Sequence, residues 1–172
     1  MRRTFLVVLV TAFFAVAAGV AYAGNAHYIK SATNVSITQS TSTSTGGALT
    51  CSFKEAGLQS GSTETITCNA TALTTYECVN GGGKNPSASN KTTTQTTFAL
   101  TGTFTADRNG NIVGSLSGGP PSAADLNFSC PSGQKTTYVS VTYSNISIAD
   151  ADSAATLAFT GATLSDTNPS AP

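Results

Sequence analysis

Tryptophan is missing from these 172 residues, histidine occurs once, and charged side chains make up only 9% of the chain. Each shortage excludes something. Without indole rings, a sugar-stacking catalytic cleft loses its usual wall. His27, the sole histidine, stands four residues into the expected mature chain, and no serine or cysteine has an evident imidazole base beside it. It is read as a terminal histidine without a role. Beyond residue 23 the bases are Lys30, Lys54, Lys84, Lys91, Lys135 and Arg108. They face eight acids, Glu55, Glu64, Glu77, Asp107, Asp125, Asp150, Asp152 and Asp166, for a net charge of −2. No basic patch exists to neutralise phosphates, which excludes a nucleic-acid partner. A carboxylate pair for glycoside hydrolysis needs acids held out of bulk water. Asp107, Asp125, Asp150 and Asp152 are read in turns or at strand ends, where solvation accounts for them. The chain is therefore expected to be no enzyme and to need no metal and no cofactor.

What is present begins with an address. Arg2 and Arg3 precede an almost wholly apolar run over residues 5–20, and Ala21-Tyr22-Ala23 is an A-x-A cleavage signal. That is the layout of a secretory signal peptide at residues 1–23, with cleavage expected before Gly24. Arg2-Arg3-Thr4-Phe5-Leu6 also fits a twin-arginine signal, while the strongly apolar core suits the general secretory route. No second apolar run of spanning length follows, so no membrane span is expected after cleavage. A secreted, extracellular protein is the reading, with one domain over residues 24–165 and a frayed polar tail at residues 166–172.

Four cysteines, Cys51, Cys68, Cys78 and Cys130, remain in an exported chain. An even number there points to two disulfides, with three connectivities open. A four-cysteine zinc site usually shows close pairs, and gaps of 17, 10 and 52 residues do not supply them. Serine and threonine fill 48 of the 149 positions after residue 23, and short alternating runs are broken by Gly, Pro, Asn and Asp. Strands are expected over residues 29–38, 48–54, 64–70, 74–79, 94–106, 112–117, 126–130, 138–148 and 156–164. The clearest hairpin is expected around Asn109-Gly110, whose residues suit a tight reverse turn. All four cysteines fall in phase with apolar neighbours, as in Leu49-x-Cys51-x-Phe53 and Leu126-x-Phe128-x-Cys130. The pattern is all-β: a two-sheet antiparallel β-sandwich, immunoglobulin-like or of related Greek-key topology.

The stretch ECVNGGGKNPSASNKTT, residues 77–93, is the best candidate for a binding loop. A phosphate cradle would need G-x4-G-K-[ST]. Cys78 stands at the first glycine, Asn85 at the Ser/Thr, and Pro86 where a helix should propagate, so that reading fails. What remains is a loop leaving the core at Cys78, with Asn80, Gly81, Gly82, Gly83, Lys84, Asn85, Asn90 and Lys91 as candidate ligand residues. Asp107-Arg108-Asn109-Gly110-Asn111 imitates the start of a calcium loop, but its glycine comes early and Gly118 stands at the twelfth place, so a turn is preferred. Sequons at Asn34, Asn69, Asn90, Asn127 and Asn145 match what composition alone supplies. Three T-x-T-x-T runs start at Thr41, Thr63 and Thr101 without a common period. Flat threonine arrays of that type resemble those of some ice-binding proteins, which stays a minor alternative to an ordinary wet sheet face.

Cys78-Val79-Asn80-Gly81-Gly82 through Asn90-Lys91, with Cys130-Pro131-Ser132-Gly133-Gln134, resembles small secreted β-sandwich proteins of actinobacteria and related soil bacteria. Those share a C-V-N-x-G-G…P…N-K loop and a C-P-x-G-Q element, and carry no assigned activity. The resemblance extends over most of the expected mature chain, though only these two motifs are specific. It implies export, a sandwich fold and a Cys78–Cys130 bridge, and transfers no active site. Cys51 and Cys68 lie on consecutive strand candidates joined by a Gly-rich stretch short enough for a hairpin, which leaves the same second pair. Two function classes follow: a non-catalytic module binding an extracellular glycan or protein or the cell envelope, and a structural subunit that self-associates through exposed edge strands such as residues 38–46.

Overall fold

The computed structural model of the chain describes residues 24–41, 46–82 and 90–172. The expected signal peptide, the later threonines of the Thr41 run, and Gly83, Lys84 and Asn85 of the candidate loop lie outside them. The elements are β1 (His27–Tyr28), a 3-10 turn (Lys30–Ala32), β2 (Asn34–Ile37), β3 (Leu49–Ala56), β4 (Thr63–Val79), β5 (Lys91–Thr105), β6 (Asn111–Gly118), β7 (Lys135–Asp150), β8 (Thr156–Ala158) and β9 (Leu164–Thr167).

Two antiparallel sheets pack face to face. In one, β3 pairs with β6 on one side and with β2 and β1 end to end on the other. In the second, the order is β5-β4-β7, and β8 and β9 follow each other along the outer edge of β7. Period-two alternation explains the packing. Leu49, Cys51 and Phe53 of β3 point inward, as do Ile66, Cys68, Ala70 and Ala72 of β4 and Val141, Tyr143, Ile146 and Ile148 of β7. The Leu, Ile, Val and Phe side chains among them contribute about 1.5–3 kcal/mol each by leaving water.

The disulfides are Cys51–Cys68 and Cys78–Cys130, with Cα separations of 6.4 and 5.5 Å. The first does not bridge a hairpin. β3 and β4 belong to opposite sheets, so Cys51–Cys68 crosses the middle of the core and ties the two sheets together. The connection at Asn109-Gly110 departs from expectation in the same way. The tight turn forms, with Asp107 N–H donating to Asn111 O at 2.8 Å and Gly110 at a φ of 71°. Its arms, however, enter different sheets, because β5 pairs with β4 and β6 with β3. The Phe104 ring fills the space between these arms, edge-on to Phe53 at 5.0 Å between ring centroids. Gly114 makes the room: a Cβ there would lie 2.6 Å from Phe104 Cε1 and 2.9 Å from Phe53 Cζ.

Other expectations need correction. Residues 64–70 and 74–79 are one strand, β4, continuous through Thr71-Ala72-Leu73. The span 29–38 is interrupted by the 3-10 turn, where Thr33 Oγ1 donates to Ile29 O at 2.9 Å. Residues 126–130 are not a strand. Ser122 and Asp125 cap each other, Ser122 N–H to Asp125 Oδ2 at 2.9 Å and Asp125 N–H to Ser122 Oγ at 3.2 Å, and wind the chain into a turn. β9 runs through Asp166 and Thr167, two residues into the expected tail, and Asn168 Nδ2 donates to Tyr138 O at 2.9 Å.

One pattern gains order. Thr63, Thr65 and Thr67 stand opposite Thr105, Thr103 and Thr101. Two of the T-x-T-x-T runs therefore form one array on the outer face, and the Thr67 and Thr101 hydroxyls bond at 3.0 Å.

Candidate functional site

The sandwich has two chemically distinct ends, joined by β4. The first carries the candidate loop. Cys78 closes the inward phase of β4, and its bridge to Cys130 pins the irregular segment after β6 beneath the loop. Tyr76 Oη donates to Pro121 O at 2.9 Å and holds the same segment farther back. Asn80 turns the exit, its Oδ1 accepting Gly82 N–H at 3.0 Å. On the return side, Asn90 Nδ2 donates to Gln134 Oε1 at 3.2 Å, and Lys91 Nζ meets Glu77 Oε2 at 3.0 Å. The structure thus joins the two motifs C-V-N-G-G and C-P-S-G-Q into one unit. A cavity of about 280 Å³ lies between Val79, Asn80 and Gly81 on one wall and Gly133, Lys135 and Thr137 on the other. Gly81 is open toward the described residues: a Cβ placed on it meets none of them within 4 Å. Of the eight candidate ligand residues, Asn80, Gly81, Gly82, Asn90 and Lys91 are brought together here.

The second end was missed by sequence reasoning. Glu55, Glu64 and Asp150 continue the inward phases of β3, β4 and β7 to the mouth of the sandwich, and all three are buried, at 0, 6 and 2% exposure. Solvation therefore does not account for Asp150, although it does for Asp107 and Asp125. Asp107 Oδ1 accepts the Asn109 and Asn111 amides at 2.8 and 2.9 Å. Those amides hold the Asp107 carboxyl below the usual range, and the Ser122 hydroxyl and amide do the same for Asp125.

Asp152 joins the buried acids from the turn after β7, and the carboxylate oxygens of Glu64, Asp150 and Asp152 lie within 4.8 Å of one another. Each acid has one oxygen fixed by a donor. Ser153 Oγ donates to Glu55 Oε1 at 2.9 Å, Asp152 N–H to Asp150 Oδ1 at 2.9 Å, Thr65 N–H to Asp152 Oδ2 at 2.7 Å, and Ser62 Oγ to Glu64 Oε1. The remaining oxygens of Glu55 and Asp150 and the Tyr28 hydroxyl are buried without a hydrogen bond of good geometry, although the Tyr28 hydroxyl lies beside the Glu55 carboxyl. Burial pushes the Glu55 carboxyl up to about 7; the Ser153 hydrogen bond opposes this, and neighbouring Asp150 and Glu64 add to it. Burial, then the Glu55 and Asp150 charges, also push the Tyr28 hydroxyl up. The sequence signal for this end is an acid in the inward phase of a strand, as in Leu49-x-Cys51-x-Phe53-x-Glu55. His27 takes no part: it is exposed, with Nδ1 2.6 Å from Asn25 O. No protein-family model, curated protein or solved structure matches the chain.

Proposed function

We propose that the protein is an exported, non-catalytic β-sandwich module, immunoglobulin-like or of related Greek-key build, that binds an extracellular glycan, protein or envelope component through the loop end. The observation that carries this reading is the pinned base of the loop. A disulfide, a side-chain amide bond and an ion pair fix both stems around an open cavity, and such anchored loops on rigid scaffolds are common binding sites. A glycan array, followed by binding measurements on Gly81→Leu, tests the proposal. The new side chain has space in the open cavity, so it blocks a ligand while leaving the fold intact. Unchanged binding by Gly81→Leu would place the ligand elsewhere. Hydrolysis of ester, peptide or glycoside substrates, abolished by one acidic or serine substitution, would overturn the non-catalytic reading.

A second reading, self-assembly, is favoured by β5. Among the described residues, its 15 residues pair with β4 on one side only, and Lys91 is its sole charged residue. Long, uncharged edges of this kind template strand addition by another chain. Concentration-dependent polymers in light scattering support that reading, and a monomer at all concentrations refutes it. The paired threonine array raises the minor ice-binding alternative, which a thermal-hysteresis measurement decides.

A further inference from the structure

Three strands from both sheets, and the turn after one of them, deliver carboxylates to a single place, and no described lysine, arginine or histidine pairs with any of them. The described ion pair, Lys91–Glu77, lies at the opposite end of β4. The cluster alone would say little; the state of its oxygens says more. Glu55 and Asp150 carboxyls are within hydrogen-bonding reach of each other, yet one oxygen of each is buried without a donor. Two acceptors held face to face out of water need a proton or a cation between them, and the further carboxylates of Glu64 and Asp152 at the same place favour the cation. The other oxygen of each acid is held by a serine hydroxyl or a backbone amide, which orients the free one, as outer-shell partners do in metal sites. Oxygens bound to one calcium at about 2.3–2.6 Å cannot lie much more than about 5 Å apart. The three carboxylates meet that limit, at 4.8 Å or less.

We propose that Glu64, Asp150 and Asp152, backed by Glu55, bind a divalent cation of the calcium class. An all-oxygen donor set selects a hard ion over zinc or copper. Glu64 and Asp152 also line a cavity of about 420 Å³ reaching Leu58, Gln59 and Ser62, which gives the ion an entry path and leaves room for water ligands. The site is separate from the loop end, so its failure would leave the binding-module reading standing.

The test is calorimetric titration of the chelator-stripped protein with calcium chloride, paired with terbium luminescence. One calcium per chain is expected, with a dissociation constant on the order of 10⁻⁴–10⁻³ M, as in extracellular modules, and with weaker magnesium binding. With no tryptophan in the chain, terbium at this site is sensitised by tyrosine. Tyr28→Phe should remove the emission while calcium binding persists, because the Tyr28 hydroxyl lies beside Glu55. Asp150→Asn and Glu64→Gln should each weaken calcium binding more than about 10-fold, whereas Asp125→Asn in the exposed Ser122 turn should not. Circular dichroism checks folding, and Asp152→Asn on the exposed rim gives the same reading if a buried variant fails to fold. Absence of saturable calcium binding overturns the proposal. So does calcium binding undiminished in the cluster variants, or terbium emission independent of Tyr28.

Discussion

Replacing Asp166 with asparagine should cost the protein a large part of its stability near neutral pH and little in acid. Asp166 sits on β9, 2% exposed, and its carboxylate collects three donors: Ser40 N–H at 2.6 Å, Ser40 Oγ at 2.5 Å and Tyr138 Oη at 2.9 Å. Ser40 follows β2 in one sheet and Tyr138 belongs to β7 in the other, so one side chain links both sheets to the last strand. Hydrogen bonds to a charged group are worth about 1.5–3 kcal/mol each, and a buried donor left without an acceptor costs about 1–3 kcal/mol. Asparagine keeps one acceptor oxygen and turns an N–H toward a donor, so a net loss of about 3 kcal/mol is expected. For a domain of this size that lowers Tm by about 6–12 °C.

The pH dependence gives the sharper check. Burial alone would raise the Asp166 carboxyl, but the Ser40, Tyr138 and Thr167 hydrogen bonds outweigh it and hold the group below the usual carboxylate range. A lowered folded-state value stabilises the protein above the unfolded carboxyl's titration, and that stability disappears as pH falls through the folded value. The Tm gap between wild type and Asp166→Asn should therefore be widest at about pH 6–7 and close as pH falls below about 4. Differential scanning calorimetry across that range decides it. A gap under about 2 °C at neutral pH, or one that persists in acid, would refute the assigned role.

Gly114→Ala should lower stability by about 1–3 kcal/mol, because its Cβ meets the Phe104 and Phe53 rings and both are held in the core; urea melts measure it. Removing Cys78–Cys130 should cost about 4 kcal/mol and removing Cys51–Cys68 about 3 from chain entropy, since they close 52 and 17 residues. The deeper burial of the inter-sheet bridge adds a cavity cost that narrows the difference, and paired alanine variants in guanidinium melts test the ranking. Mass spectrometry of exported protein should find Gly24 as the first residue; an intact Met1 start would sink the export reading.

Much of the sandwich was legible because alternation is a local signal, and β3, β5, β6 and β7 can be read residue by residue from it. Sheet membership was not, because nothing local tells a hairpin from an arch. The arms of the Asn109-Gly110 turn carry the same alternating pattern whether they pair with each other or face each other across the core. The choice is made by distant partners, β4 for β5 and β3 for β6. The same blindness turned Cys51–Cys68 into a hairpin bridge: the pairing was expected from the short Gly-rich connection, whereas the structure forms it across the core between sheets. Residues 126–130 misled through Leu126-x-Phe128-x-Cys130, whose alternation is overridden by the Ser122-x-x-Asp125 cap, a signal that was present in the sequence. The loop end was legible as a motif and the acid end was not, because acids at strand ends were assigned to solvent instead of to the phase they share with Phe53, Ile66 and Ile148.

That phase makes the acid end energetically informative. An apolar residue at Glu55, Glu64 or Asp150 would simply extend the core, and burying like charges together opposes folding. At 4.8 Å or less and an effective dielectric of 20, each ionised pair among Glu64, Asp150 and Asp152 repels by about 3 kcal/mol or more. Asp150→Asn removes one charge, keeps an acceptor for the Asp152 amide and offers Glu55 an N–H. In chelator, the variant should melt above wild type. In saturating calcium the order should reverse, because only wild type gains ligand-binding free energy. A variant less stable than wild type under both conditions would mean that Asp150 serves the fold through its hydrogen bonds alone. That outcome would remove the energetic reason for a cation at this end of the sandwich.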